Sequence, residues 1–206
     1  MSASVQERSV QERLLDAADE LFFVDGVIAT PVDVILRKAH ASPPSLYKHF
    51  GNKEGLITAA LERRLRIWMQ VWDEAIERAS TPVELALSVW PALRRYQSDF
   101  LEERWCAFSG TTAATPHPGI PLQRVLGAET RLLRERTAEL VGHLGLDERG
   151  SARLTKQLVI AYAGTMAMML REPYASAIDD GEATARELVE AALAHPGDGP
   201  RIRADF

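Results

Sequence analysis

Four punctuating signals crowd into the segment from Gly26 to Gly51: Gly26 itself, Thr30-Pro31, Ser42-Pro43-Pro44 and Gly51. Only two short apolar-periodic stretches fit between them. The first opens on Thr30, whose side chain can accept a helix-start amide, with Pro31 at the first helical position and Asp33 as a further start signal. Val32, Ile35, Leu36 and Ala39 then mark one face at helical spacing, so a helix ends near Ala39. The second stretch opens on Ser42. Two prolines would break a helix interior, but in a first turn the amides have no intrahelical acceptor and proline is tolerated. Pro43-Pro44 therefore predicts a start, with Leu46 and Phe50 facing inward and Ser45, Lys48 and His49 outward. A chain punctuated in this way must place two very short helices at an angle across a tight turn.

Longer patterns flank that pair. Upstream, "SVQERSVQER" repeats a Ser-x-x-Glu capping box over residues 4–13. Its second copy directly precedes Leu14, Ala17, Ala18, Leu21 and Phe22, so Ser9 is the expected start of a helix ending at a left-handed Gly26, and residues 4–8 form an arm or frayed turn. Downstream, Gly51-Asn52-Lys53 closes one helix and caps another running over residues 52–79. Further helices are expected at 82–98, 100–114, 121–144, 147–170 and 181–194, the last capped by Asp179-Asp180. No stretch alternates with period two, and no hairpin dipeptide joins β-branched runs. The fold class is all-α, with a loose Pro/Gly-rich tail from His195.

The composition, 46% hydrophobic and 26% charged over 206 residues, is that of an ordered globular chain rather than a disordered one. The net charge of −5 argues against non-specific coating of nucleic acid. Charge is nevertheless uneven: Arg37, Lys38, Lys48, Lys53, Arg63, Arg64 and Arg66 follow an acidic segment carrying Glu12, Asp16, Asp19, Glu20 and Asp25, a pattern that suits an anionic partner. The longest uncharged apolar run, residues 158–170, falls short of the roughly 20 residues a membrane span needs. Residues 1–8 lack the apolar core of an export signal, and the expected location is the cytoplasm. The single cysteine, Cys106, allows no intrachain disulfide and reads as a small buried hydrophobe. No His-Glu-x-x-His or Gly-rich phosphate loop is present, so neither metal, cofactor nor enzymatic activity is expected.

Two short helices about a tight turn, the second with small residues at its start, form a helix-turn-helix, whose second helix enters the major groove N-terminus first. Pro43, Pro44 and Ser45 keep that leading edge slim enough to approach base edges and thymine methyls. Tyr47, Lys48, His49 and Lys53 offer phosphate donors at the flank, and free amides at the helix start are expected to add anion affinity. His49 has no Ser, Cys or Asp set beside it as a general base would require.

The order of these motifs resembles the N-terminal domain of the TetR family of transcriptional regulators. The matching residues are Leu14-Leu15-Asp16-Ala17-Ala18, Leu21-Phe22, Gly26, Thr30, Val32, Ile35, Ala39 and Leu46-Tyr47-x-His49-Phe50-x-x-Lys53. The resemblance implies a helix-turn-helix domain at residues 9–55 and a larger helical ligand-binding and dimerisation domain at 56–206. It implies base reading by Pro43, Pro44 and Ser45, with Ser42 leading into them. Phosphate contacts fall to Tyr47, Lys48, His49 and Lys53, with Thr30, Pro31 and Val32 at the backbone-contacting start of the preceding helix. One departure is visible: His40-Ala41-Ser42 stands where the family has Gly-Val-Ser. A non-Gly residue in a left-handed turn costs about 1 kcal/mol, less for His. Two prolines also leave few donors, so discrimination should lean on van der Waals contact and DNA shape.

Beyond residue 56 no motif of comparable order appears. By the same resemblance Trp68, Trp90, Tyr96, Trp105, Phe108, Tyr162 and Met166 are candidates to line a pocket for a largely apolar effector. Leu158, Ala161, Gly164, Met168, Leu188 and Ala191 are candidates for a homodimer interface. The resulting expectation is a ligand-responsive repressor that binds an inverted-repeat operator in double-stranded DNA as a dimer. Two other readings are open: a regulator-like helical protein acting through protein contacts, and a small helical enzyme without DNA binding.

Overall fold

The computed structural model describes residues 8–100 and 106–195, and every regular element among them is a helix. In chain order these are α1 (Val10–Asp25), α2 (Val32–Lys38), α3 (Pro43–Phe50), α4 (Lys53–Arg78), α5 (Pro82–Leu87), α6 (Val89–Asp99), α7 (Ala107–Ala114), α8 (Ile120–Gly142), α9 (Glu148–Met168) and α10 (Tyr174–Ala194). They fall into two compact units, residues 1–68 with 102–129, and residues 69–101 with 130–206. Trp105, residues 4–7 of the expected arm and the tail after His195 lie outside the described residues.

The first unit holds the short helices. Ser9 starts α1 with both halves of a capping box: the Glu12 amide donates to Ser9 Oγ at 3.2 Å, and the Ser9 amide to Glu12 Oε2 at 2.8 Å. Gly26 ends α1 at φ 97°, ψ 141°, an extended positive-φ conformation rather than the left-handed helical one expected. Thr30 does not cap α2. Its hydroxyl is turned back toward the carbonyls of Gly26 (2.8 Å) and Leu21 (3.2 Å), the side chain is buried, and Pro31 is the N-cap with no side-chain bond. Thr30 thus closes the turn after α1, its amide and its hydroxyl both donating to the Gly26 carbonyl.

α3 ends at a three-residue turn. The Asn52 amide donates to the Phe50 carbonyl at 2.9 Å across Gly51, which sits at φ 75°, ψ −48°, the rare γ-turn that glycine tolerates best. Asn52 Oδ1 then accepts the Gly55 amide at 2.8 Å and caps α4. A Cβ on Gly55 would overlap the Phe50 carbonyl oxygen, so the close approach of α3's end to α4's start requires glycine there. One core joins these elements: Leu14, Phe22, Ile35, Leu46, Leu56 and Leu61 pack with Phe108 of α7 and Leu122 and Val125 of α8.

α1 and α4 are also clasped by charge. Asp19, 6% exposed, accepts from Arg64 Nε at 2.7 Å and from Arg63; Arg63 also donates to Asp16 at 2.7 Å. The Arg64 guanidinium lies 4.0 Å from the Phe23 ring centroid. Burial pulls the Arg63 pKa down, and the Asp19 and Asp16 carboxylates more than reverse this, leaving it raised.

In the second unit α10 packs along α9, α6 and α5. The expected helix over 82–98 is divided at Ser88, whose Oγ accepts the Trp72 indole N–H at 2.9 Å. Trp90 is fully buried and donates to Thr165 Oγ1 at 3.2 Å. α10 begins at Tyr174 after Pro173, earlier than expected. Asp179-Asp180 therefore caps nothing, and Asp179 accepts instead from Arg94 at 2.7 Å.

Candidate nucleic-acid interface

The turn between α2 and α3 carries the strain that the sequence implies. His40 has φ 47° and stands alone among described non-glycine residues in positive φ. Arg13 on α1 holds it in place, donating from Nε to the Ala39 carbonyl at 2.9 Å and from Nη2 to the His40 carbonyl at 3.3 Å. These carbonyls would otherwise lack partners at the end of α2, and charge-assisted bonds are the stronger kind. Arg13 was not legible as a site residue, because nothing local marks a contact across so much chain.

On α3, Leu46 is buried and Phe50 half-buried, so the opposite face is free. Ser42, Pro43, Pro44, Tyr47, Lys48 and His49 are exposed on it, Tyr47 at 61%. At four-residue spacing, Tyr47 stands one turn behind Pro43 and Lys48 one turn behind Pro44. The first turn of α3 corrects one expectation: from Pro43 to Leu46 it offers no free backbone amide. Pro43 and Pro44 have no N–H, and the Ser45 and Leu46 amides both donate to the Ser42 carbonyl, at 3.0 and 3.3 Å. Beside the Ser42 amide, the polar hydrogens there belong to the Ser42 and Ser45 hydroxyls, which lie 3.0 Å apart and share one hydrogen bond. Lys53, first in α4, is half-buried with Nζ 5.7 Å from the Phe22 ring centroid, and desolvation lowers its pKa. Pro31 is exposed and Val32 half-buried at the start of α2.

The remaining candidates are scattered more widely. Phe108 is buried in the first unit's core, and Trp68 is buried on the α4 stretch of that unit. Trp90, Tyr96, Tyr162 and Met166 are buried in the second. A cavity of about 250 Å³ in the second unit has none of these on its walls; it is lined by Val71, Ala75, Leu87, Pro91 and Ala92 with Arg78, Arg95 and Arg186 around it. Of the interface candidates, Gly164, Met168 and Ala191 are exposed, and Ala161 and Leu188 half-buried. Leu158 is 1% exposed and faces the protomer's own interior. Cys106 caps α7, taking the Ser109 amide on Sγ at 3.4 Å, and burial pushes its thiol pKa up. The described residues contain no group of side chains that could hold a metal, and none of their helices is long and apolar enough to cross a membrane.

Residues 14–60, which span α1 through the start of α4, match the family model of bacterial regulatory proteins of the tetR family. That segment is similar to the helix-turn-helix of TetR-family regulators. Among proteins similar to this chain, the HTH-type transcriptional regulator LmrA of Bacillus subtilis (strain 168) is 31% identical over 61% of the chain and 59% of its own length. The regulator HbdR of Aromatoleum sp. (strain CIB) is 32% identical over 42% of the chain and 37% of its own length. The chain thus spans well under two thirds of both. Likeness of fold extends further: SCO4454, a TetR-family regulator from Streptomyces coelicolor, superposes with a TM-score of 0.76 at 23% identity, covering 92% of this chain and 96% of that one.

Proposed function

We propose that this chain is a sequence-specific transcriptional regulator, a repressor that binds double-stranded DNA as a homodimer and releases it on binding a small, largely apolar effector. The exposed Tyr47-Lys48-His49 face of α3, presented by a turn that Arg13 and His40 hold rigid, is the observation that carries the reading. Tyr47, Lys48, His49 and Lys53 would bind phosphates, and the Ser42–Ser45 edge would enter the groove. Pro31 and Val32 would lie against the backbone at the start of α2. Two such helices in a dimer meet successive major grooves about 34–36 Å apart, so the operator would be an inverted repeat.

Dimerisation would use the exposed side of α9 and α10 around Ala161, Gly164, Met168, Leu188 and Ala191. Effector binding in the second unit would shift the equilibrium toward a conformer whose reading heads no longer match that spacing, by as much as its affinities for the two conformers differ. Such a regulator works in the cytoplasm and needs no cofactor. The test is a gel shift of the full chain against the DNA upstream of its own gene at two salt concentrations. Specific retardation that weakens steeply with salt is expected. Failure to bind any duplex specifically would replace this reading with a protein-contact regulator or a helical enzyme.

A further inference from the structure

The cavity in the second unit has a wall chemistry that the fold alone does not require. Val71 and Ala75 are one turn apart on α4, and Ala79 continues that spacing just past the helix end. Leu87, last in α5, and Pro91 and Ala92, in the first turn of α6, complete the apolar part of the wall. Close-packed interiors fill such space with larger side chains. Here three of the positions are alanine and one is proline, and about 250 Å³ stays open. For scale, an apolar cavity of about 150 Å³ accepts benzene, so this one has room for a ring with a short chain or for a fused pair of rings.

The charges on the same wall do not cancel. Three guanidinium groups, those of Arg78, Arg95 and Arg186, stand against the two carboxylates of Glu84 and Glu182. Both carboxylates are already engaged: Glu84 accepts the Ser80 amide at 2.7 Å, and Glu182 is shared by Arg94 at 3.1 Å and Arg186 at 3.2 Å. Arg78 and Arg95 are steered by Glu74, which lies off the wall. Among the described residues Arg78 and Arg186 each donate a single bond, so most N–H groups of both forks are open to a further acceptor. A guanidinium fork matches a planar carboxylate through paired bonds. An apolar recess rimmed by such forks disfavours cations, and a strongly hydrated polyanion makes no use of its floor. It suits an apolar body that ends in one acid group.

We propose that this cavity is the effector site and that its ligand is a small monocarboxylic acid with a hydrocarbon body. Arg78 and Arg186 hold the acid group, and Val71, Ala75 and Leu87 line the body. The assignment rests on the effector-responsive reading above and names the ligand class and the place that reading leaves open. The walls come from α4, from α5 and α6, and from α10, stretches far apart in the chain. A ligand in contact with all of them therefore binds conformers that space these helices differently with different affinity, which is what coupling to DNA needs.

The experiment titrates hydrocinnamate, β-naphthoate and octanoate, and the primary amide of each, into the full-length protein by isothermal calorimetry. At least one acid is expected to bind, and its amide, equal in size but uncharged, to bind about tenfold or more weakly, because bonds to a charged group are the stronger kind. Arg78→Gln together with Arg186→Gln should bring the acid down to the affinity of its amide. Ala75→Met extends a flexible side chain into the space and should weaken acid and amide alike, with a thermal melt to check that the variant is folded. Added to a gel shift on the DNA upstream of the protein's own gene, the same acid should release the duplex from the unmodified protein and not from the arginine variant. No binding by any of the acids, an amide as tight as its acid, or an acid affinity untouched by the arginine substitutions would each overturn the assignment. Binding that leaves the duplex retained would remove the cavity from effector control. A protein that retains no duplex at all would overturn the DNA-binding reading, while the calorimetry still decides the ligand.

Discussion

Both compact units tie helices together with arginine and carboxylate, yet the two ties differ in kind. In the first unit Arg64 and Asp19 are 2% and 9% exposed in their side chains; in the second, Arg94 and Asp179 are 41% and 68% exposed. A charge pair gains strength as water is excluded, but each member then becomes costly to leave alone. An exposed pair is screened and worth little. The first unit thus stakes the α1–α4 angle on one buried clasp, while the second spreads similar chemistry over a forgiving surface.

Removing one charge from each tie tests that contrast. Arg64→Ala leaves Asp19 buried with Arg63 as its remaining charged partner and should cost about 1.5–3 kcal/mol in chemical denaturation. Changing Asp19→Leu and Arg64→Met together should recover part of that loss, because the buried carboxylate leaves with its guanidinium while Arg63 keeps Asp16. Glycines sharpen the comparison at a smaller scale. Gly55→Ala sets a Cβ against the Phe50 backbone carbonyl, which cannot turn aside, and about 1–3 kcal/mol is expected. Gly181→Ala in the second unit meets the buried Thr165 hydroxyl and Trp90 indole N–H, which bond each other, so a loss of similar size is expected from a broken side-chain bond rather than a displaced backbone.

Two further charge deletions separate binding from packing. Lys48→Ala should weaken binding to all duplexes alike and reduce the slope of log K against log salt by about 1. Arg94→Ala should leave that slope unchanged and alter stability by about 0–1 kcal/mol. Equal slopes for the two variants would remove Lys48 from the interface.

The parts of the fold legible in the sequence are those written locally. Ser9 and Glu12 sit three residues apart, Pro43-Pro44 can only start a helix, and Gly51 can only turn, so α1, α3 and the start of α4 follow from near neighbours. His40 was readable for the same reason: its strain is a backbone property of one position. Thr30 misled because its side chain had two possible helix ends to serve and burial chose the earlier one. Asp179-Asp180 misled because α10 already starts after Pro173, which leaves both carboxylates inside the helix. The absence of free amides on α3 follows from the two prolines and the Ser42 carbonyl together, and needed the hydrogen bonds to be seen.

Phe108, Leu122 and Val125 complete the hydrophobic interior beneath the α1–α3 elements although more than forty residues separate them from Leu61. The helix-turn-helix segment is consequently not a detachable cassette. A fragment cut after α4 would carry the whole family-matched segment and still leave raw apolar surface where α7 and α8 belong. Grafting the segment onto another protein would require transplanting two separated pieces of chain, and evolution exchanging such segments between proteins would face the same constraint.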